Sequence, residues 1–448
     1  MKNKLRLRPL LASVLAVILL LGCSGGTVND NTSDTPTETT DDVVEISFAW
    51  WGDTMRHELY NSIVDLFEAE NPDVRVMREP APWGDYWTRL ATQSAGGNSP
   101  TVFGMHPQFV SDYALRGVLM DLSGFVGDGT IETADIAQSV MEGAYINNEL
   151  TGIPKAVGVQ AFGVNRTLLE QFGLEAPART EDWSWSEFEA LATDFADATA
   201  GEDLFFSVDH SGDWVYFRWA ARQSGGDIYT DDATELGFDE EVLTQWFDFW
   251  NRLRDIGATP DAATTVEQGQ MAWQERRFPA GMTAFSAFPA NQLTMQQTQI
   301  GNEYILDMVR VPQADGETRR AENLELPAMS ISSTATEAEA KAAARLINFF
   351  INSADSLELF QMELGIPANA ALVEHILPLL EAPALITVEF GESLMEITGA
   401  GVSAPVGAQE IDALFVNVAE RVMFGELSSA DAAAEFMSQA TTILEANR

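Results

Sequence analysis

Between residues 43 and 106 the chain alternates two hydrophobic periods, and this alternation restricts the folds open to it more than any other feature. In VVEISFAWW, Val44, Ile46, Phe48 and Trp50 share one phase of a period of two, while Trp51 lies out of phase at the strand end. Leu59, Ile63, Leu66 and Phe67 then recur at helical spacing, and Asn71-Pro72 stops that helix before Val74 and Val76 resume a strand. A second helix carries Tyr86, Trp87, Leu90 and Ala91, a turn follows at Gly96-Gly97, and Thr101 to His106 reads as a short buried strand. Strands that alternate with helices pair largely in parallel and need cover on both faces, so the expected class is α/β.

A second stretch, TGIPKAVGVQAFGVNRTLLEQFGL from Thr151 to Leu174, has a different character. Gly152 and Pro154 shape its entry, an apolar run without helical period follows, and a short helix ends near Gly173. Gly158 and Gly163 permit close approach of neighbouring chain, and Asn165 starts the helix. The stretch reads as a strand passing from one folded unit to another.

The start of the chain is an address. Lys2, Lys4, Arg6 and Arg8 precede the apolar run Leu10 to Leu21, and Gly22-Cys23-Ser24 follows, the layout of a signal peptide over residues 1–22. Leu20-Leu21-Gly22-Cys23 resembles a bacterial lipobox, which implies removal of the signal and lipidation of Cys23, the sole cysteine. A lone cysteine has no disulfide partner. Residues 24–42 contain no aromatic residue and one large aliphatic, too little to bury, so 23–42 is expected to be the lipidated cysteine and a disordered tether. Loss of the leader moves the formal charge from -43 to -47. A surface of that sign excludes nucleic acid as a partner, because phosphate binding requires clustered Lys and Arg. Beyond the leader only Lys155 and Lys341 remain as lysines.

Catalytic and cofactor signatures fail in turn. No glycine-rich P-loop surrounds either lysine, and neither HExxH nor GxSxG occurs. The four histidines, His57, His106, His210 and His375, are scattered, so neither a metal nor a cofactor is expected. The acidic runs Asp231-Asp232 and Asp239-Glu240-Glu241 lack the EF-hand spacing and read as solvated surface.

The order of several motifs resembles the sugar-type extracellular solute-binding proteins of ABC importers, the maltose-binding-protein-like family 1. The resemblance rests on Asn71-Pro72-Asp73-Val74, Ala95-Gly96-Gly97 with Pro100-Thr101-Val102-Phe103, and Gly117 to Leu122. It continues through the 151–174 stretch, Pro177 to Phe188, Asp213 to Phe217, Gly225 to Tyr229, Phe278 to Phe288, Met308 to Glu317, and Glu363 to Ala368. It implies a type II periplasmic-binding-protein-like fold: two α/β lobes with mixed or parallel sheets, a multi-crossing hinge and a ligand cleft between the lobes. The expected crossings lie near 155, 312 and 366, placing 43–155 with 312–365 in an amino-terminal lobe and 156–311 with 366–448 in a carboxy-terminal one. It also implies a carbohydrate ligand, permease transmembrane subunits as partners, membrane attachment through the lipid alone and a monomeric state. The alternatives are an extracellular glycosidase, which needs two carboxylates across the bond, and a surface sugar binder that feeds no permease.

A sugar presents an apolar C–H face and a rim of hydroxyls, which suits aromatic rings edged by polar groups. Ligands of open α/β sheets lie beyond the carboxyl ends of the strands. That rule nominates Trp51 and Asp53 after the first strand and His106 and Gln108 after the third; Trp83 and Tyr86 lie in an aromatic cluster near them, and Lys155 sits beside the hinge. Packing in the core is the competing role for the aromatics and a loop hydrogen bond for His106. The resemblance adds Asp213 and Trp214 from the second lobe, with helix capping as the competing role for Asp213, and Phe285 as a wall residue. In Pro177 to Phe188, Ser186 is expected to cap a helix with Glu189 reaching back, and Trp183 and Trp185 to be structural.

Overall fold

The computed structural model describes residues 43–271, 273–314, 320–395 and 397–447. The leader, Cys23 and the tether lie outside the described residues, as does part of the Met308 to Glu317 run. No helix among the described residues is long and apolar enough to cross a membrane.

Thirteen strands are described. They are β1 (Val44–Trp51), β2 (Val74–Ala81), β3 (Val102–Met105), β4 (Tyr145–Ile146), β5 (Glu149–Leu150), β6 (Ile153–Pro154), β7 (Ala156–Asn165), β8 (Phe205–Ser207), β9 (Thr283–Pro289), β10 (Leu306–Val309), β11 (Leu324–Glu325), β12 (Ala328–Ile331) and β13 (Ile366–Pro367). The first sheet has the order β2-β1-β3-β12-β6. Within it β1 runs parallel to β2 and β3, with Val44 opposite Val74 and Phe48 opposite Val102, whereas β12 is antiparallel to β3 and β6. The second sheet has the order β10-β7-β9-β8, and β11 and β13 also pair with β7.

The first sheet follows from its hydrophobic phases. Ile46, Phe48 and Trp50 are fully buried, and they meet Tyr60, Ile63 and Phe67 of the helix Thr54–Glu70 together with Phe350. Asn71 caps that helix at its carboxyl end, its backbone N–H donating to the Phe67 carbonyl. The second core is strongly aromatic: Phe162, Phe188, Trp219, Phe247, Trp250, Phe285 and Phe415 are all fully buried there.

The stretch from Thr151 to Leu174 is the seam between the sheets. Ile153–Pro154 belongs to the first sheet, and two residues later Ala156–Asn165 begins the second. Asn165 then caps the helix Arg166–Gln171 by accepting from the Leu168 N–H. One half of β7 pairs with β9 and β10, and the other half receives β11 and β13. Gly163 is required by contact, since a Cβ there would lie 2.1 Å from the Phe288 ring, while one on Gly158 would meet its nearest neighbour at an ordinary 3.6 Å.

The return passage lies later than the expected 312. Val311 and Ala321 are still buried in the second core, Gln313 bridges to Ser184, and β11 pairs with β7. The chain reaches the first sheet only through Leu326-Pro327, where the Pro327 carbonyl accepts from the Lys155 N–H at 3.0 Å.

The helix cap near residue 185 also differs from expectation. The helix spans Trp185–Ala198, and Ser184 with Glu187 forms the capping box in place of Ser186 with Glu189. Both pairs have the Ser-x-x-Glu spacing. The earlier one is selected because Ser184 is held extended against Gln313 and because Trp183 is anchored by its Nε1–H, which donates to the Arg310 carbonyl at 2.6 Å. Glu189 pairs instead with Arg252 at 2.8 Å.

Candidate functional site

A cavity of about 800 Å³ lies between the two sheets. The first sheet contributes Trp51 at the carboxyl end of β1 and His106 just beyond β3, and the helix starts at Asp53 and Trp83 lie beside them. From the second sheet's side come Asp213, Trp214, Tyr216 and Asn291, with Trp273 and Asp412. Between these walls lie Gln160 on β7 and Lys155, Glu325 and Glu363 on or beside the segments next to it.

Trp51 stands on a prepared bed. Its ring meets Trp83 edge-on at 5.3 Å and Tyr86 at 5.4 Å, and Gly104 leaves the room it occupies, since a Cβ there would lie 2.7 Å from the indole. The Lys155 ammonium lies 4.9 Å from the centre of the same ring and donates to the Tyr60 hydroxyl at 2.8 Å. Lys155 is 3% exposed, and burial, reinforced by the nearby Arg56, lowers its pKa to about 7. A cation taken out of water without a matching anion releases its proton more readily.

His106 receives the Gln108 N–H on Nδ1 at 3.2 Å, and its Nε2 lies 3.8 Å from the Glu325 carboxylate. The accepting Nδ1 puts the proton of the neutral ring on Nε2, facing that carboxylate. Burial lowers the His106 pKa; Glu325 opposes the shift and Lys155 adds to it. Gln108 reaches across the cavity, its Nε2 donating to Asp412 at 3.5 Å. Asp412 is pushed up to about 6, chiefly by burial and then by the negative charge of Asp213, with the Gln108 bond opposing.

Asp53 caps the helix Thr54–Glu70 by accepting from the Arg56 N–H at 3.0 Å. Asp213 stands at the start of the helix Trp214–Gln223 but makes no side-chain cap there. Its Oδ2 lies 2.6 Å from His210 Nδ1. The other ring nitrogen of His210 accepts from the Ala287 N–H at 2.9 Å, so Nδ1 carries the proton and donates to Asp213. Trp214 is 5% exposed and packs on Phe415 at 5.0 Å and Phe217 at 5.5 Å, presenting one edge to the cavity.

Eight of the ten nominated residues, Trp51, Asp53, Trp83, His106, Gln108, Lys155, Asp213 and Trp214, therefore line one cavity. Tyr86 and Phe285 do not. Tyr86 lies beneath Trp51 and is 1% exposed, its hydroxyl donating to the Gly104 carbonyl at 2.5 Å. Phe285 is fully buried between Phe206 at 4.7 Å and Phe188 at 5.8 Å. Several lining residues escaped the sequence reading. Arg56 pairs with Glu363 at 2.9 Å, Asn291 donates to the Glu363 carbonyl at 2.7 Å, and Gln160 donates to Glu325 at 3.2 Å. The phase of β7 carried a signal for Gln160, a polar residue in the middle of an apolar run.

The sequence matches the family of bacterial extracellular solute-binding proteins over residues 62–383. The chain belongs to that family. Among relatives of this solute-binding protein, an uncharacterized ABC transporter extracellular-binding protein of Pyrococcus horikoshii is 22% identical over 196 residues, 42% of this chain and 43% of the relative. The chain spans about half the length of the curated relatives it matches. Among solved structures, a periplasmic oligogalacturonide-binding protein of Yersinia enterocolitica in complex with saturated digalacturonic acid superposes with a TM-score of 0.77 at 19% identity, covering 90% of this chain and 99% of that one. The substrate-binding protein Lmo0181 of Listeria monocytogenes in complex with cycloalternan gives 0.76 at 20% identity, covering 90% and 100%. The fold of this solute-binding protein is thus the two-part α/β architecture of the periplasmic binding proteins, with the cavity between its sheets.

Proposed function

We propose that this solute-binding protein is the binding component of an ABC importer, capturing a carbohydrate between its two halves and delivering it to the permease. The observation that carries this reading is the composition of the cavity wall. Four tryptophans, Trp51, Trp83, Trp214 and Trp273, line one space with the amides of Gln108, Gln160 and Asn291 and the carboxylates of Asp53, Asp213 and Asp412. Rings of this kind cover the C–H face of a sugar, and amides and carboxylates accept or donate around its hydroxyl rim. The carbohydrate complexes of the Yersinia and Listeria proteins support the same reading.

In this proposal one lobe comprises 43–155 and the segment from Pro327 to about 365, and the other comprises the rest of the described chain. The boundary is put at Pro327 in place of the expected 312, a choice supported by the pairing of β11 with β7 and by the hydrogen bond from the Lys155 N–H to the Pro327 carbonyl. The lobes rotate about the segments that pair with β7 at its 156–159 end. Ligand touching both walls stabilises the closed arrangement by its extra contacts there, and the closed form is the one presented to the permease. The protein is monomeric, acts as a carrier without chemical turnover, and is held at the outer face of the cytoplasmic membrane by lipid on Cys23.

The test is a thermal-shift screen of the purified protein against mono- and oligosaccharides, followed by chromatography of the incubated ligand. A raised melting temperature with the saccharide recovered intact supports the reading. Hydrolysed product replaces it with a glycosidase, and absence of stabilisation by every carbohydrate removes the ligand class.

A further inference from the structure

The main cavity does not end at Asp213. A second chamber of about 270 Å³ adjoins it and shares Gly212, Asp213 and Val416 with its wall. One helix, Ala408–Met423, runs beneath both. Asp412 and Val416 line the main cavity, and Val416, Glu420 and Met423 line the chamber. Residues at this spacing lie on one helix face, and at 1.5 Å per residue the row from Asp412 to Met423 extends roughly 16 Å. Gly212 lies against the same face, where a Cβ on it would stand at an ordinary 3.7 Å from that of Ala419.

Acidic and apolar side chains alternate along this row, Asp412 and Glu420 with Val416 and Met423. Thr265 and Gln268 of the helix Ala262–Gln270 line the chamber's other side, giving neutral hydrogen-bonding groups. Two arginines stand in the chamber wall, and one of them has a carboxylate partner. Arg277 pairs with Asp203 at 2.9 Å, and Arg276 donates to the backbone carbonyls of Met271 and Gly269. Along the groove the carboxylates of Asp213, Asp412 and Glu420 outnumber Arg276, so it is acidic on balance. Carboxylates form strong hydrogen bonds with hydroxyl donors and repel anions.

We propose that the ligand is an elongated, uncharged oligosaccharide whose distal units pass from the main cavity along the helix Ala408–Met423 into the second chamber. The proposal rests on the carbohydrate reading above and specifies the length and charge of what that site takes. A monosaccharide would fill only the part beside Trp51, and each further unit gains contacts with the next turn of the helix.

Calorimetric titration with neutral malto-, cello-, xylo- and manno-oligosaccharides of increasing length, with the parent monosaccharides and oligogalacturonides alongside, provides the test. The expected result is affinity that rises with length in the series that binds, by about tenfold for a unit making one further good contact, with oligogalacturonides weaker than neutral chains. Glu420→Trp, and independently Gln268→Trp from the facing helix, fill the chamber. Each should lower the ratio of longest-chain to shortest-chain affinity by about tenfold. Agreement of the two guards against a folding defect in either. Binding of monosaccharides with no gain on lengthening, an unchanged ratio in both variants, or tighter binding of oligogalacturonides overturns the proposal and leaves the carbohydrate reading standing. Absence of any saccharide binding overturns both.

Discussion

Replacing Lys155 with Met tests how the cavity floor is built, because the native lysine is held there at a cost. Its pKa falls from the ordinary 10.5 to about 7, with burial as the main cause. A difference of that size disfavours the folded state by about 5 kcal/mol at pH values where the unfolded chain carries the charge. Between pH 7 and 10.5 the unfolded chain holds a proton that the folded protein lacks, so the stability of the native protein rises with pH across that window. Below pH 7 the penalty is present in full, and above 10.5 it is gone. Lys155→Met removes it but strands the buried Tyr60 hydroxyl, whose partner was the ammonium at 2.8 Å. Losing that bond costs about 1–3 kcal/mol at every pH. The variant should therefore be more stable than the native protein by about 2–4 kcal/mol at pH 6 and less stable by about 1–3 kcal/mol near pH 10.5, with a crossing between. Urea denaturation of both proteins at pH 6, 8 and 10, followed by tryptophan fluorescence, measures the difference, to which His106 also contributes at the acid end because the Lys155 charge that lowers its pKa is gone in the variant. A difference independent of pH would refute the reasoning, because it would mean that Lys155 keeps its ordinary affinity for protons in the folded protein.

Asp412 gives the opposite dependence. Its pKa is raised to about 6 by burial and by Asp213, so its penalty is absent below the unfolded value near 3.8 and complete above about 6. Asp412→Asn should stabilise by up to about 3 kcal/mol at pH 8 and leave stability unchanged at pH 3.5, read from urea midpoints. Gly163→Ala places a methyl group 2.1 Å from the Phe288 ring across the β7–β9 pair and should cost about 1–3 kcal/mol. Ser184→Ala should cost about 1 kcal/mol, read from the urea midpoint; an unchanged midpoint would contradict the assigned capping box.

The sequence was most informative where a local pattern carries the structure. The alternating phases of β1 and the helix after it, the Asn71-Pro72 stop and the Asn165 cap all appear at the expected residues. The capping box slipped by two residues because two Ser-x-x-Glu pairs overlap and only the contact with Gln313 distinguishes them. The site was legible where strand ends mark it, at Trp51 and His106. Direction was harder to read for Tyr86 and Phe285. Both lie in segments packed on covered sheets, where apolar residues face both ways and periodicity cannot tell wall from core. The charged wall was nearly silent. Glu325, Glu363 and Asp412 sit in short crossings or on a late helix, and their partners lie far along the chain: Gln108 meets Asp412 across 304 residues and Arg56 meets Glu363 across 307. No window of sequence contains both members of such a pair.

The central claim is that a carbohydrate is held between the two sheets. A crystal structure grown with the saccharide that most raises the melting temperature tests it most directly. The account predicts a sugar ring against Trp51 with Lys155, Gln108 and Asp412 around its hydroxyls, and further units following the helix Ala408–Met423. Electron density for the saccharide only outside that cavity, as in the surface pocket between Trp185 and Phe249, would contradict it.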